Sequence, residues 1–220
     1  MQLRYYADPL CSWCYGFGPE LTRLLEGVPT LDCAVVMGGL RPYNREPMSL
    51  GFRTMLREHW NGVATATGLP FTQAVLDRDD FVYDTEPACR AVVTARNIFP
   101  GQALPLMKAI QRGFYRDGLD ATRPDVLADI ASAVGFEPRT FLAAFESEGM
   151  HVATRADFAA TQSLGVGGFP TVALARGEEL YLVTSGFVTA DVLEYRLAEI
   201  LRLMPPDPAR ESPTTTRRTP

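Results

Sequence analysis

One ten-residue stretch near the amino terminus constrains this chain most: Asp8-Pro9-Leu10-Cys11-Ser12-Trp13-Cys14-Tyr15-Gly16-Phe17. If a helix begins at Cys11, the two cysteines lie on one face of it, close enough to form a disulfide. The unpaired amides and the dipole at a helix start also stabilise a thiolate at its first residue. We therefore expect Cys11 to be a nucleophile and Cys14, one turn further along, to be the resolving thiol.

The other cysteines limit how this pair can be used. The chain of 220 residues has four cysteines, and the remaining two, Cys33 and Cys89, stand alone. Four are too few for a disulfide scaffold. A structural zinc site needs four ligands, and the only histidines are His59 and His151. A redox pair is therefore favoured over half of a zinc site, and we expect no metal. Cys33 and Cys89 are expected to be buried, inert thiols, with a disulfide between them left open.

Charge and hydropathy exclude several classes of function. The formal net charge is −5 at pH 7, and no basic stripe indicates a nucleic-acid partner. No apolar run is long enough to span a bilayer, so no membrane association is expected. The chain begins with a methionine and passes directly into a strand-like segment, without the charged and apolar regions of a signal peptide. We therefore expect a cytoplasmic protein.

Apolar periodicity gives the order of elements. Residues 2–7 and 31–37 are predicted strands on either side of the cysteine helix, which makes a βαβ unit. Residues 45–150 follow helical periods and predict four to six helices. The predicted elements after them are a helix over 152–164, a hairpin of strands 171–174 and 180–183, and a helix over 190–203.

A second motif, Gly168-Phe169-Pro170-Thr171, lies far from the first in sequence and directly before the hairpin. The two motifs and the order of elements resemble the DsbA-like thioredoxin-fold family. The stretch from Asp8 to Phe17 resembles that family's cytosolic FrnE-like disulfide-isomerase branch. The resemblance implies an α/β, thioredoxin-like fold: a central mixed β-sheet flanked by helices, with an inserted α-helical lobe. It divides the chain into a discontinuous thioredoxin-like domain, residues 1–44 and 151–203, and a helical insertion, residues 45–150. Residues 204–220 are rich in proline and threonine with few apolar groups, which predicts a disordered tail.

The resemblance also implies roles for single residues. Pro170 would be the cis-proline that faces the active-site disulfide, and Phe169 would offer its backbone to an extended peptide substrate. Pro19 matches the kink proline of the thioredoxin active-site helix, and with Ser12 it would support the site structurally. Trp13, between the cysteines, is expected to contact substrate.

Two further residues of the first motif have structural interpretations. Phe17 is expected to belong to the core rather than to a substrate groove. Asp8 is expected to form the turn ahead of Pro9 rather than to shuttle protons.

The predicted function is thiol–disulfide oxidoreductase or isomerase activity on protein disulfides. Ser12-Trp13 stands where strongly oxidising relatives have Pro-His, and a neutral indole cannot supply the positive charge of an imidazolium beside the thiolate. We therefore expect a less oxidising disulfide, suited to isomerase or reductase work. Expected partners are thiol-bearing or disulfide-bearing polypeptides. No tightly bound cofactor is expected, and glutathione or a thioredoxin-like reductant would serve as the redox partner.

Two alternative functions belong to classes other than protein disulfide exchange. The scaffold also resembles kappa-class glutathione transferases and 2-hydroxychromene-2-carboxylate isomerases, which use a serine where Cys11 stands and lack the second cysteine. The chain could also be a chaperone-like binding module whose disulfide is a switch. Both cysteines favour disulfide exchange. The sequence assigns no oligomeric state.

Overall fold

The computed structural model describes residues 1–205, so most of the predicted disordered tail, residues 206–220, lies outside the described residues. The chain begins with strand β1 (Gln2–Ala7), helix α1 (Ser12–Gly27) and strand β2 (Asp32–Met37). β1 and β2 are parallel, so the predicted βαβ unit is confirmed. α1 is continuous across Pro19.

The sheet is completed by a hairpin from the far end of the chain, β3 (Thr171–Arg176) and β4 (Glu179–Ser185). The strand order is β2-β1-β3-β4, and β3 is antiparallel to both of its neighbours. The sheet is therefore mixed, as expected. A two-residue turn joins the strands, and Gly177 adopts there a φ of 61°, which a residue without a β-carbon accepts readily.

The other helices are α2 (Leu50–Thr67), α3 (Glu86–Ile98), α4 (Ala103–Tyr115), α5 (Pro124–Ala133), α6 (Pro138–Phe145), α7 (Glu148–Ser163) and α8 (Ala190–Leu203). Between residues 45 and 150 lie α2 to α6, in agreement with the predicted four to six helices. α7 begins four residues before the predicted start because the Ser147 hydroxyl accepts a hydrogen bond from Met150 N and caps it. The predicted domain boundary at residue 150 therefore falls inside α7, and the division into domains stays a prediction.

The helices and the sheet share one hydrophobic core. α4 packs against α1, α8 against α1 and β4, and both α3 and α7 against β2. Buried side chains of β1, α1 and the helices between residues 45 and 150 form one apolar cluster. Its aromatic centre includes Trp60, whose ring centroid lies 5.0 Å from that of Tyr115 and 5.8 Å from that of Phe114. Within residues 1–205, no helix has the length and apolar character to cross a membrane.

Candidate active site

Cys11 is the residue that caps the amino terminus of α1. Its backbone is extended and its side chain forms no capping hydrogen bond, so the first amides of the helix are not occupied by a cap side chain. The chain before it folds back in a tight turn, in which Cys11 N donates to Asp8 O at 3.1 Å. Cys11 as a residue is 6% exposed. A thiolate at this position would lie beside free N–H donors and the positive end of the helix dipole.

The loop before β3 lies opposite Cys11. The Phe169–Pro170 peptide bond is cis. Cys11 Sγ lies 3.6 Å from Phe169 O, and Gly186 N donates to Pro170 O at 2.7 Å. The structure thus brings together the two sequence motifs, which lie about 160 positions apart in the chain. A peptide backbone laid along this loop would pass the Cys11 sulfur.

Cys14 lies behind Cys11 and is fully buried. Burial raises the pKa of the Cys14 thiol well above its ordinary value, and the neighbouring Cys11 raises it further. Tyr5 of β1 is buried beside the pair, and burial followed by the proximity of Cys14 raises the pKa of its phenol. The two thiols are therefore unequal: Cys14 is completely buried, whereas Cys11 keeps a small exposed fraction and lies beside the free amides of α1.

Phe169 and Trp13, the two aromatic candidates of the site, have different surroundings. The Phe169 ring covers Gly38 so closely that a β-carbon at residue 38 would fall 1.9 Å from its Cζ. Trp13 is half-buried, with ring centroids of Phe187 and His59 at 5.4 Å and 6.2 Å. Sequence reasoning missed both of these neighbours. His59 lies on α2 and no local pattern marks it. Phe187 lies two residues after the hairpin, and its aromatic character is the signal that could have found it.

The turn before Cys11 is held by Asp8, which is fully buried. Its Oδ1 accepts from Leu10 N at 2.8 Å, which is the expected turn-forming role. Its Oδ2 accepts from Leu40 N at 2.7 Å and from Cys89 Sγ at 3.4 Å. Burial raises the pKa of Asp8, while these hydrogen bonds oppose the rise. One carboxylate thus ties the turn to the loop after β2 and to α3.

The carbonyl of Leu10, directly before the nucleophile, accepts two hydrogen bonds from distant residues. The Tyr115 hydroxyl donates to it at 2.6 Å, and the Tyr83 hydroxyl donates to it as well. Both tyrosines are buried and come from the predicted helical insertion. Their convergence on Leu10 gives that segment a direct contact with the active-site turn, which no sequence pattern indicated.

The remaining candidate residues take structural positions. Ser12 is buried as the first residue of α1, and Phe17 is fully buried in the core, which confirms the core interpretation for Phe17. Pro19 is exposed on α1, on the side facing α4. Within residues 1–205, no group of three or more histidine, cysteine or acidic side chains is arranged to hold a metal ion.

Cys33 and Cys89 are both free and lie apart. Cys89 contacts Asp8 near the end of β1, whereas Cys33 pairs with Leu3 at the start of β2. About 13 Å of extended strand separates Cys33 from the last residue of β2, beyond which Cys89 lies, so this structure does not support a disulfide between them. Cys89 is fully buried as expected, whereas Cys33 is only partly buried because β2 is an edge strand of the sheet. Desolvation raises the pKa of both thiols, that of Cys33 to about 12.

The chain matches a known protein family and several solved structures. A family model for the DSBA-like thioredoxin domain matches residues 2–198. The structure of a candidate protein disulfide isomerase from Nitrosomonas europaea is 34% identical, with a TM-score of 0.86, and the match covers 91% of this chain and 97% of that one. The cytosolic disulfide reductase DsbM from Pseudomonas aeruginosa is 29% identical with a TM-score of 0.75, over 93% of this chain and all of that one. A structure of DsbM with GSH matches similarly, with a TM-score of 0.74.

Two further matches are more distant. The ClpXP adapter protein SpxH of Halalkalibacterium halodurans is 23% identical over 78% of this chain, and the match spans only 57% of the length of SpxH. A 2-hydroxychromene-2-carboxylate isomerase structure is 16% identical with a TM-score of 0.60, over 92% of this chain and 96% of that one. At that identity the likeness shows the fold alone.

Proposed function

Since the chain belongs to the DSBA-like thioredoxin domain family, we propose that it is a thiol–disulfide oxidoreductase that acts on protein disulfides through Cys11 and Cys14. The observation that carries the proposal is the place of Cys11. It caps α1 beside free amides, 3.6 Å from the carbonyl of the cis-proline loop, with Cys14 buried behind it. We propose disulfide reduction and isomerisation as its work, in the cytoplasm, where the similar DsbM is described as a reductase.

In the first step the Cys11 thiolate attacks one sulfur of a substrate disulfide. A bond forms between Cys11 Sγ and that sulfur, the substrate S–S bond breaks, and the departing thiolate takes up a proton. Phe169 O and Pro170 border the sulfur, so an extended substrate segment would bind along this loop. Trp13, which lies between the two cysteines in sequence, would also contact the substrate.

In the second step Cys14 loses its proton and attacks Cys11 Sγ. The mixed disulfide breaks, the substrate leaves as a dithiol, and two electrons have passed from the protein to the substrate. If a substrate thiol attacks the mixed disulfide first, the protein leaves reduced and the substrate disulfide has only moved. The high pKa of buried Cys14 slows the second step and thereby gives isomerisation time to compete.

Reduced glutathione is the proposed electron donor. A GSH complex of the similar DsbM supports this choice. Two glutathione thiols would reduce the Cys11–Cys14 disulfide through a mixed disulfide at Cys11, yielding one glutathione disulfide and the two protein thiols. A thioredoxin-like protein could supply the same two electrons.

The test is substitution of the resolving thiol, Cys14→Ser. The variant should accumulate a covalent complex with a disulfide-bearing polypeptide such as scrambled ribonuclease, because the mixed disulfide can no longer be closed from within. Non-reducing electrophoresis and mass spectrometry of the linked peptides would place the bond at Cys11. Cys33→Ser is the matched control and should form no trapped complex.

Two results would contradict the proposal. A Cys14→Ser protein that forms no complex with several disulfide substrates would remove the exchange mechanism. A complex linked through Cys33 or Cys89 would show that Cys11 is not the nucleophile.

A further inference from the structure

A second concave site lies between α1 and α4, and neither Cys11 nor Cys14 lines it. The pocket has a volume of about 590 Å³, within the range of roughly 300–1,000 Å³ that is usual for small-molecule sites. Its apolar walls are two dipeptides, Leu69-Pro70 after α2 and Leu104-Pro105 at the start of α4. Nothing in the exchange reaction described above uses it.

All charged side chains that line the pocket are positive. Lys108, Arg112 and Arg116 line it, and no carboxylate does. Arg116 is occupied by Asp117, with contacts of 2.7 and 3.0 Å. Lys108 is half-buried and its Nζ donates to Thr22 Oγ1 at 2.6 Å, a neutral partner. Arg112 forms no ion pair within residues 1–205. Two positive charges thus border the apolar walls with no carboxylate in the lining, and the nearest counter-charges are Glu26 beside Lys108 and Asp117 beside Arg112.

An independent observation also points to a ligand. Gln111 lines the pocket and is 2% exposed, and its Nε2 has no hydrogen-bond partner within the described residues. Leaving a buried amide donor unpaired is unfavourable, by about 1–3 kcal/mol. The nitrogen itself is closed to solvent, so an acceptor atom in the pocket would relieve this cost once the amide group turns towards the pocket.

The side of the pocket formed by α1 is open at Gly18. A β-carbon built there meets no atom within 4 Å, and its φ lies outside the left-handed region. A larger side chain at this position would therefore enter the pocket without backbone strain. This offers a way to fill the site from the helix side.

We propose that the pocket binds a small amphipathic monoanion, an organic carboxylate with an apolar chain or ring. Its carboxylate would lie against Lys108 and Arg112, and the Gln111 amide, turned towards the pocket, would donate to it. Its apolar part would pack between the two proline-containing walls. A carboxylate fits because a guanidinium pairs with it through two parallel hydrogen bonds.

The experiment titrates octanoate into the full-length, reduced protein and follows heat by calorimetry and amide shifts by NMR. Octanoate should bind one per chain, with shifts in α1 and α4. Arg112→Gln should weaken binding at least tenfold, and Gly18→Leu should abolish it. Arg155→Gln is the matched control: it removes one exposed arginine, paired with Glu148 on α7, and should bind as the unchanged protein does. The neutral 1-octanol should bind at least tenfold more weakly than octanoate.

Several outcomes would overturn the proposal. Equal affinity in the Arg112→Gln and Arg155→Gln proteins would show that Arg112 does not hold the anion. Equal affinity for octanoate and 1-octanol would show an apolar surface without anion selectivity. One octanoate per two chains would indicate an interface between copies instead. Since Arg112 is exposed, its variant should fold even if Gly18→Leu does not, and a thermal melt would verify this.

Discussion

Cys11 and Cys33 belong to the same βαβ unit, yet the structure gives them opposite surroundings. Cys11 caps α1, whose first amides have no helix partner, and its sulfur faces the carbonyl of Phe169. Cys33 lies within β2, where the backbone pairs with β1, and burial raises the pKa of its thiol to about 12 although the charge of Lys108 opposes the rise. Access to unpaired amides, rather than residue type, separates the expected nucleophile from an inert thiol.

The largest expected effect tests this contrast directly. Cys11→Ser should lower the rate of disulfide reduction by about a thousand-fold or more, because a hydroxyl is not ionised at neutral pH and cannot replace a thiolate nucleophile. Cys33→Ser should keep the rate within about twofold. Turbidity of insulin on reduction, with glutathione as the electron source, measures both. Comparable losses of reduction rate in the two variants would show that the two cysteines do not differ in reactivity.

A smaller effect is expected when the hydrogen bonds to Leu10 O are removed. Changing Tyr83 and Tyr115 together to phenylalanine leaves this buried carbonyl unpaired, at a cost of about 1–3 kcal/mol in the free energy of unfolding. Each single variant should cost less, because the other hydroxyl remains. The double variant should also lower the exchange rate several-fold by loosening the turn that carries Cys11.

Urea unfolding and the exchange rate measured side by side separate these two consequences. Tyr15→Phe is the control, because its hydroxyl donates to Pro70 O, away from Leu10. A double variant as stable and as active as the control would show that the convergence on Leu10 has no energetic role.

The burial of Cys14 should make the second step of the reaction depend on pH. Burial raises the pKa of Cys14, so at neutral pH the folded protein holds it protonated, and the reactive thiolate becomes more abundant as pH rises. Closure of the mixed disulfide should therefore accelerate by about tenfold per pH unit between pH 7 and 9, in proportion to the thiolate fraction. Stopped-flow release of a labelled peptide from preformed mixed disulfide measures this step. A rate independent of pH over that range would contradict the protonated state of Cys14.

The smallest effect is expected at Cys89. Its thiol donates to Asp8 at 3.4 Å, so Cys89→Ala removes one of the hydrogen bonds to that carboxylate and a small volume of packing. We expect a loss of about 1 kcal/mol in the free energy of unfolding and little change in exchange rate. Chemical denaturation with a parallel insulin assay would detect both. A loss of activity larger than the loss of stability explains would assign Cys89 a part in the reaction.

Much of the site could be predicted because its parts are local in sequence. The spacing of Cys11 and Cys14 places them on one helical face, and the strand before them sets where that helix begins. Asp8 forms its turn with Leu10, two residues away. The order of strands and helices follows from periods of two and 3.6 residues, which reflect burial on one side of each element. The start of α7 was placed wrongly because the cap at Ser147 lies outside the apolar period.

Other features depend on contacts between distant segments, and only the tertiary structure decided them. Tyr83 and Tyr115 reach Leu10 across 73 and 105 residues, and Leu40 reaches Asp8 across 32. His59 meets Trp13 only because α2 packs against α1. Such partners leave no period or spacing in the sequence, since a hydrogen bond requires a position in space rather than a distance along the chain. The sequence by itself determined the reactive pair and the elements that carry it, whereas packing decided what surrounds that pair and formed the second pocket between α1 and α4.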